Sequence, residues 1–148
     1  MGVKQSSMSE RLSEDDRALI KKLLWEVEEA LQVLEEVSAK PELSRSDVYA
    51  ARYAISQIVE AFAAIAARVA AAQGVAVEGY AESMAFLGRA GIVRAEAAEA
   101  LVKLAKLRNL IIHRYWLLND KRILAEARSG GIEAIRRAVG DVRRFIEG

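Results

Sequence analysis

"KLRNLIIHRYWLLND", residues 106–120, decides how this chain reads. Its aliphatic residues recur at helical spacing, which marks a helix packed against other helices. Yet the same run carries Arg108, Asn109, His113, Arg114 and Tyr115, and His113 is the only histidine in 148 residues. Buried polar groups need partners or water, so this many of them in a core-like run imply a use.

At 100° per residue, Leu104, Leu107, Ile111, Tyr115 and Leu118 fall on one stripe, expected to face the core. Val102, Ala105, Asn109, Ile112, His113 and Trp116 form a second stripe, with Lys103, Lys106 and Arg114 on the far side. A helix apolar on two sides is buried on two sides. Its own bundle covers one, and a two-fold copy of the same surface is the simplest cover for the other. Arg108 and His113 are five residues apart, about 140° around an ideal helix, so a site using both forms more readily in a groove between two protomers. Histidine moves protons near neutral pH, and arginine forks onto phosphate oxygens. The pair suits cleavage of RNA by its own 2′-hydroxyl, with arginine steadying the charge that gathers at phosphorus. Spacing alone fits better a histidine and an asparagine that only hydrogen-bond across a helix interface.

Around this segment the chain reads as helix almost throughout, with one proline, Pro41, and abundant alanine, leucine, glutamate and arginine. "SEDD" at residues 13–16 has the form of a capping box, opening a first helix that runs to about residue 39 with Leu23, Val27, Leu31 and Leu34 as its stripe. A second helix is expected from about Ser46 and Asp47 to residue 73, its "AFAAIAARVAAA" small enough for close approach. A short third follows at 80–88, a fourth at 94–119, and two basic pieces at 121–127 and 132–146 flank "RSGG". The fold class is therefore all-α, an antiparallel up-and-down bundle of four to six helices forming a dimer. Residues 1–12 are expected to be a flexible N-terminal segment and 13–148 the domain.

No cysteine is present and only one histidine, so thiolate and multi-histidine metal sites are not expected, and no cofactor is called for. No uncharged apolar run reaches the ~18 to 20 residues of a membrane span, and the first residues lack a signal peptide's apolar stretch. A cytoplasmic protein without a membrane partner is the expectation. Residues 1–48 carry 7 Lys/Arg against 11 Asp/Glu, whereas residues 101–148 carry 11 against 5. Such a basic end can attract phosphate or simply be solvated helix faces, and the arginines at 136, 137, 143 and 144 read more readily as the latter.

"RNLIIHRY", Arg-x-x-x-x-His-x-Tyr, resembles the signature of HEPN-domain toxins of the HepT type. The resemblance extends over most of residues 13–146, including "YAARYAISQIVEAFAAIAARVA", "GYAESMAFLGRAGIV" and "HRYWLLND". It implies a helical bundle that dimerises with the motif lining the cleft, and a metal-independent ribonuclease acting as the toxin of a type VII toxin–antitoxin pair. It further implies a cognate MNT-type nucleotidyltransferase antitoxin that transfers AMP from ATP onto the motif tyrosine. By position, Arg108 and His113 become the catalytic pair, Asn109 a supporting residue and Tyr115 the modification site. Asp120 matches an acid found after the motif, without an assigned role. The alternative is a non-catalytic helical partner that binds a nucleotidyltransferase or a nucleotide through the same groove.

Overall fold

The computed structural model describes residues 8–113 and 118–148. The first helix, α1 (Glu14–Ser38), starts where the capping box places it. The Asp16 amide donates to Ser13 Oγ at 3.0 Å and the Ser13 amide donates to Asp16 Oδ2 at 2.9 Å. These two bonds satisfy amides that a helix start otherwise leaves open. The Ser13 N–H is also the main reason the Asp16 carboxyl lies below its ordinary pKa.

The second helix, α2 (Arg45–Ala72), is capped by Ser44, not Ser46. Ser44 has an acid three residues on, and Asp47 closes the box from there, so the helix starts at Arg45 and Ser46 lies in its first turn. Lys40 Nζ donates to Asp47 at 2.8 Å and, with the Ser44 amide, holds its carboxyl down to about 2. The alanines of α2 do what their size suggests. Ala54, Ala61, Ala66 and Ala70 let the backbone approach its neighbours, while Ile58, Phe62, Ile65 and Val69 fill the centre. Each large side chain so buried contributes roughly 1.5–3 kcal/mol. The helix is long and apolar enough to cross a membrane by length and composition, its most apolar 18 residues having a mean hydropathy of 1.5, yet most of that stretch lies inside the bundle.

Gly79, at φ 78°, turns the chain into α3 (Tyr80–Arg89). Gly91 at φ 74° reverses it through amide bonds from Ile92 and Val93 to the Leu87 carbonyl, a glycine-closed helix end. The next helix, α4 (Ala95–His113), packs so closely on α3 that a Cβ on Gly88 would lie 2.6 Å from the Ala98 Cβ. Its start is capped from another helix, as the Arg94 amide donates to Asp141 Oδ2 at 2.9 Å.

The fourth helix does not run through to Asn119 as expected. Leu118 and Asn119 are non-helical, and Asn119 instead caps α5 (Asp120–Glu126), its side chain accepting the Arg122 amide at 3.1 Å. Asparagine followed by an acid is a helix start as well as a helix interior, and here the start prevails. The glycines of "RSGG" open the wide turn Ala127–Gly131, with Gly130 at φ 147°. Arg128 in that turn donates to the Ser38 carbonyl at the open end of α1.

The last helix, α6 (Ile132–Glu147), is strongly one-sided. Ile135, Ala138, Val139, Val142, Phe145 and Ile146 are buried against α1 and α4. Ion pairs report the directions of the helices. Arg68 meets Asp16 at 3.2 Å across α2 and α1, and Arg143 meets Glu28 at 2.8 Å across α6 and α1. Both pairings run antiparallel, so the expected all-α antiparallel bundle is the observed one, with six helices among the described residues. The leader expected to be flexible reaches into the described part at residues 8–12. There Met8, Ser9 and Leu12 are buried, and Ser9 Oγ donates to the Phe145 carbonyl at 2.8 Å.

Candidate functional site

Of the residues singled out in the sequence, Arg108 has the most unusual surroundings. Its side chain is only 14% exposed and turns inward from α4, between α2 and α3. Glu60 of α2 pairs with Nη2 at 3.5 Å. The guanidinium carbon sits 4.3 Å from the centre of the Tyr80 ring, at the first residue of α3. Asn109 Oδ1 accepts from Nη1 at 3.5 Å. The polar contacts are long, and Nε is buried with no partner among the described residues. Leaving such a donor unmet costs about 1–3 kcal/mol or more for a charged group. The guanidinium is thus held by a carboxylate, an amide oxygen and a ring face, with one buried donor left unmet.

His113, the last described residue of α4, is exposed and makes no hydrogen bond or ion pair among the described residues. Arg108 points in and His113 points out, so one protomer does not bring the two together. Asn109 is exposed beside them. Tyr115, Arg114 and Trp116 lie outside the described residues.

Both stripes expected on α4 need correction. The buried line runs through Ala97, Ala98, Leu101 and Ala105, midway between them, with Arg108 continuing it. Ala105, assigned to the outer stripe, is fully buried, whereas Leu104, Leu107 and Ile111 are only partly covered. The small residues win the centre because α3 approaches through Gly88, and leucines would hold it away. Leu104 and Leu107 instead line a groove of about 620 Å³ that Leu110, Leu118 and Ile123 share. On the other side Asn109 is exposed and Ile112, next to His113, is 49% exposed.

Asp120, left without a role by the sequence, is an anchor. Arg52 of α2 grips it with two bonds, Nε to Oδ1 at 3.1 Å and Nη2 to Oδ2 at 2.9 Å. Glu60 and Arg52, two turns apart on α2, therefore hold the two flanks of the 108–120 segment. Charge explains what the tail arginines do as well. Arg136 pairs with Glu35 and Glu133, Arg137 with Glu133, Arg143 with Glu28 and Arg144 with Asp141. The acidic first third and basic last third of the chain thus meet across α1 and α6 through Arg136 and Arg143, while Arg137 and Arg144 pair within α6.

Residues 20–142 match the family described as HepT-like ribonuclease. The chain belongs to that family. No curated protein matches it in sequence. Among solved structures, a tri-AMPylated Shewanella oneidensis HEPN toxin in complex with MNT antitoxin aligns with a TM-score of 0.76 at 14% identity, covering 90% of this chain and 99% of that one. A toxin–antitoxin structure with AMP-PNP gives 0.76 at 14% identity over 86% and 98%. A mutant MntA–HpeT toxin–antitoxin gives 0.73 at 14% over the same shares. At such identity the likeness is one of fold, and the HepT-like bundle described above accounts for nearly the whole of each matched chain.

Proposed function

We propose that this HepT-like protein is the toxin of a HEPN/MNT toxin–antitoxin pair, acting in the cytoplasm as a metal-independent endoribonuclease. The carrying observation is Arg108, a buried guanidinium with an unpartnered Nε, five residues before an exposed His113. The two point apart in one protomer, so the working site is a cleft between two copies. A two-fold pairing of this face would cover the exposed Ile112 beside His113.

In the cleft, a His113 imidazole takes the proton of an RNA 2′-hydroxyl. The 2′-oxygen bonds to phosphorus, the phosphorus–5′-oxygen bond breaks, and an imidazolium returns a proton to the departing 5′-oxygen. Arg108 stabilises the charge on the phosphoryl oxygens as it peaks. Asn109 orients phosphate or imidazole. A solved relative that is tri-AMPylated and in complex with MNT antitoxin supports a nucleotidyltransferase partner; Tyr115, the tyrosine of the motif, is the residue that partner modifies. A phosphate there would meet the arginines of the cleft and block RNA from them.

Expression of the wild-type chain should arrest growth and degrade RNA, and the purified protein should cleave RNA in excess chelator. Arg108→Ala should abolish both effects while keeping the fold. A folded Arg108→Ala protein that cleaves normally would favour the non-catalytic binding role.

A further inference from the structure

We infer that Tyr80 is a positioning residue for Arg108, its ring acting as the platform that sets the guanidinium plane for phosphate. This rests on the catalytic reading of Arg108 given above. The contact is made by the ring face, 4.3 Å from the guanidinium carbon and well inside the ~6 Å range of cation–π attraction. The phenolic hydroxyl takes no part, as it has no hydrogen-bond partner among the described residues.

Three features fix where the ring sits. Gly79 at φ 78° delivers the chain into α3 so that Tyr80 is its first residue. The tight Gly88–Ala98 approach sets the register between α3 and α4, which brings Tyr80 level with Arg108. Half-burial against the core then restrains the ring itself. From α2, Glu60, itself 53% exposed, supplies one ion pair at 3.5 Å. Such a long, wet contact steers a cation but does not fix its plane. A flat ring does fix it, and a bidentate grip on phosphate depends on that plane.

The test uses the full-length protein and a pool of quenched-fluorophore oligoribonucleotides. Tyr80→Phe keeps the ring and should cleave within about twofold of wild type. Tyr80→Leu should lower kcat at least about tenfold with a much smaller change in KM, at an unchanged melting temperature. In an Arg108→Lys background the ring has no plane to set, so adding Tyr80→Leu should cost little more. Wild-type cleavage by folded Tyr80→Leu, or losses that simply multiply in the double variant, would overturn the proposal. Should Tyr80→Leu not fold, the Arg108 Nε–H resonance in the wild-type and Tyr80→Phe proteins decides. Ring-current displacement from the usual arginine position in both is expected, and an undisplaced signal would refute the stacking. Full activity of Arg108→Ala would defeat the catalytic reading itself, whereas the resonance reports the cradle regardless of activity.

Discussion

Replacing Asp141 by alanine should loosen the start of the motif helix, and its cost can be worked from four contacts. Asp141 accepts the Arg94 amide at 2.9 Å, Arg94 Nε at 3.0 Å and Arg94 Nη2 at 2.8 Å, and it pairs with Arg144. The amide bond is the N-terminal cap of α4, and loss of a cap costs ~0.5–2 kcal/mol. The Asp141 carboxylate is 9% exposed but the Arg94 side chain is 43% exposed, so water replaces much of what the guanidinium loses. Adding ~1–2 kcal/mol for those charged bonds gives a total of about 1.5–4 kcal/mol. For a domain of this size that lowers Tm by roughly 5–15 °C. Urea titration with matched thermal melts measures it, and a loss below about 0.5 kcal/mol would refute the cap.

The same contacts make a pH statement. Burial pushes the Asp141 pKa up, but the Arg94 side chain, the Arg94 amide and the nearby Arg144 charge outweigh it and hold the value below the ordinary one. A group whose folded pKa is depressed stabilises fully above its unfolded value of ~3.9 and loses that stability as pH falls through the folded value. The gap between wild type and Asp141→Ala should therefore be constant near neutrality and close in acid. Asp16 and Asp47, also depressed, add to the same acid unfolding.

Gly88→Ala should destabilise by about 1–3 kcal/mol, because its Cβ meets Ala98 Cβ at 2.6 Å and forces α3 and its Tyr80 away from α4; denaturant titration reads the loss. Wild type should sediment as a dimer at micromolar concentration, and Ile112→Asp, placing a charge on the face beside His113, should shift it to monomer and silence cleavage; an active monomer would remove the shared cleft. Incubation with the cognate nucleotidyltransferase, ATP and magnesium should add AMP to the peptide carrying Tyr115. Tyr115→Phe should block the addition, and an adduct elsewhere with Tyr115 unmodified would defeat that assignment.

Local chemistry was legible in the sequence and tertiary register was not. Ser13 and Asp16 announce a helix start by spacing alone, as do the glycines that end α3 and open the turn before α6. The second helix was expected to open near Ser46 and Asp47, but the three-residue distance from Ser44 to Asp47 places the cap at Ser44. On α4, leucines outweigh alanines in any reading of apolar periodicity, yet the line through Ala98, Leu101 and Ala105 is buried because Gly88 lets α3 come close. Glu60 and Tyr80 escaped notice because nothing in their own neighbourhoods refers to Arg108. A signal was nevertheless present. Beyond its first turn α2 carries charges only at Arg52, Glu60 and Arg68, in an otherwise apolar run. Each finds an opposite charge on another element, respectively Asp120, Arg108 and Asp16. Isolated charges in an alanine-rich helix mark where other elements dock.

The most direct test of the catalytic account is RNA cleavage by His113→Ala, assayed beside wild type at equal dimer concentration. His113 is exposed and unbonded among the described residues, so its truncation should leave melting temperature and dimerisation unchanged. Removing the proton carrier should lower cleavage by about a hundredfold or more. A folded, dimeric His113→Ala protein that cleaves RNA at the wild-type rate would contradict the account.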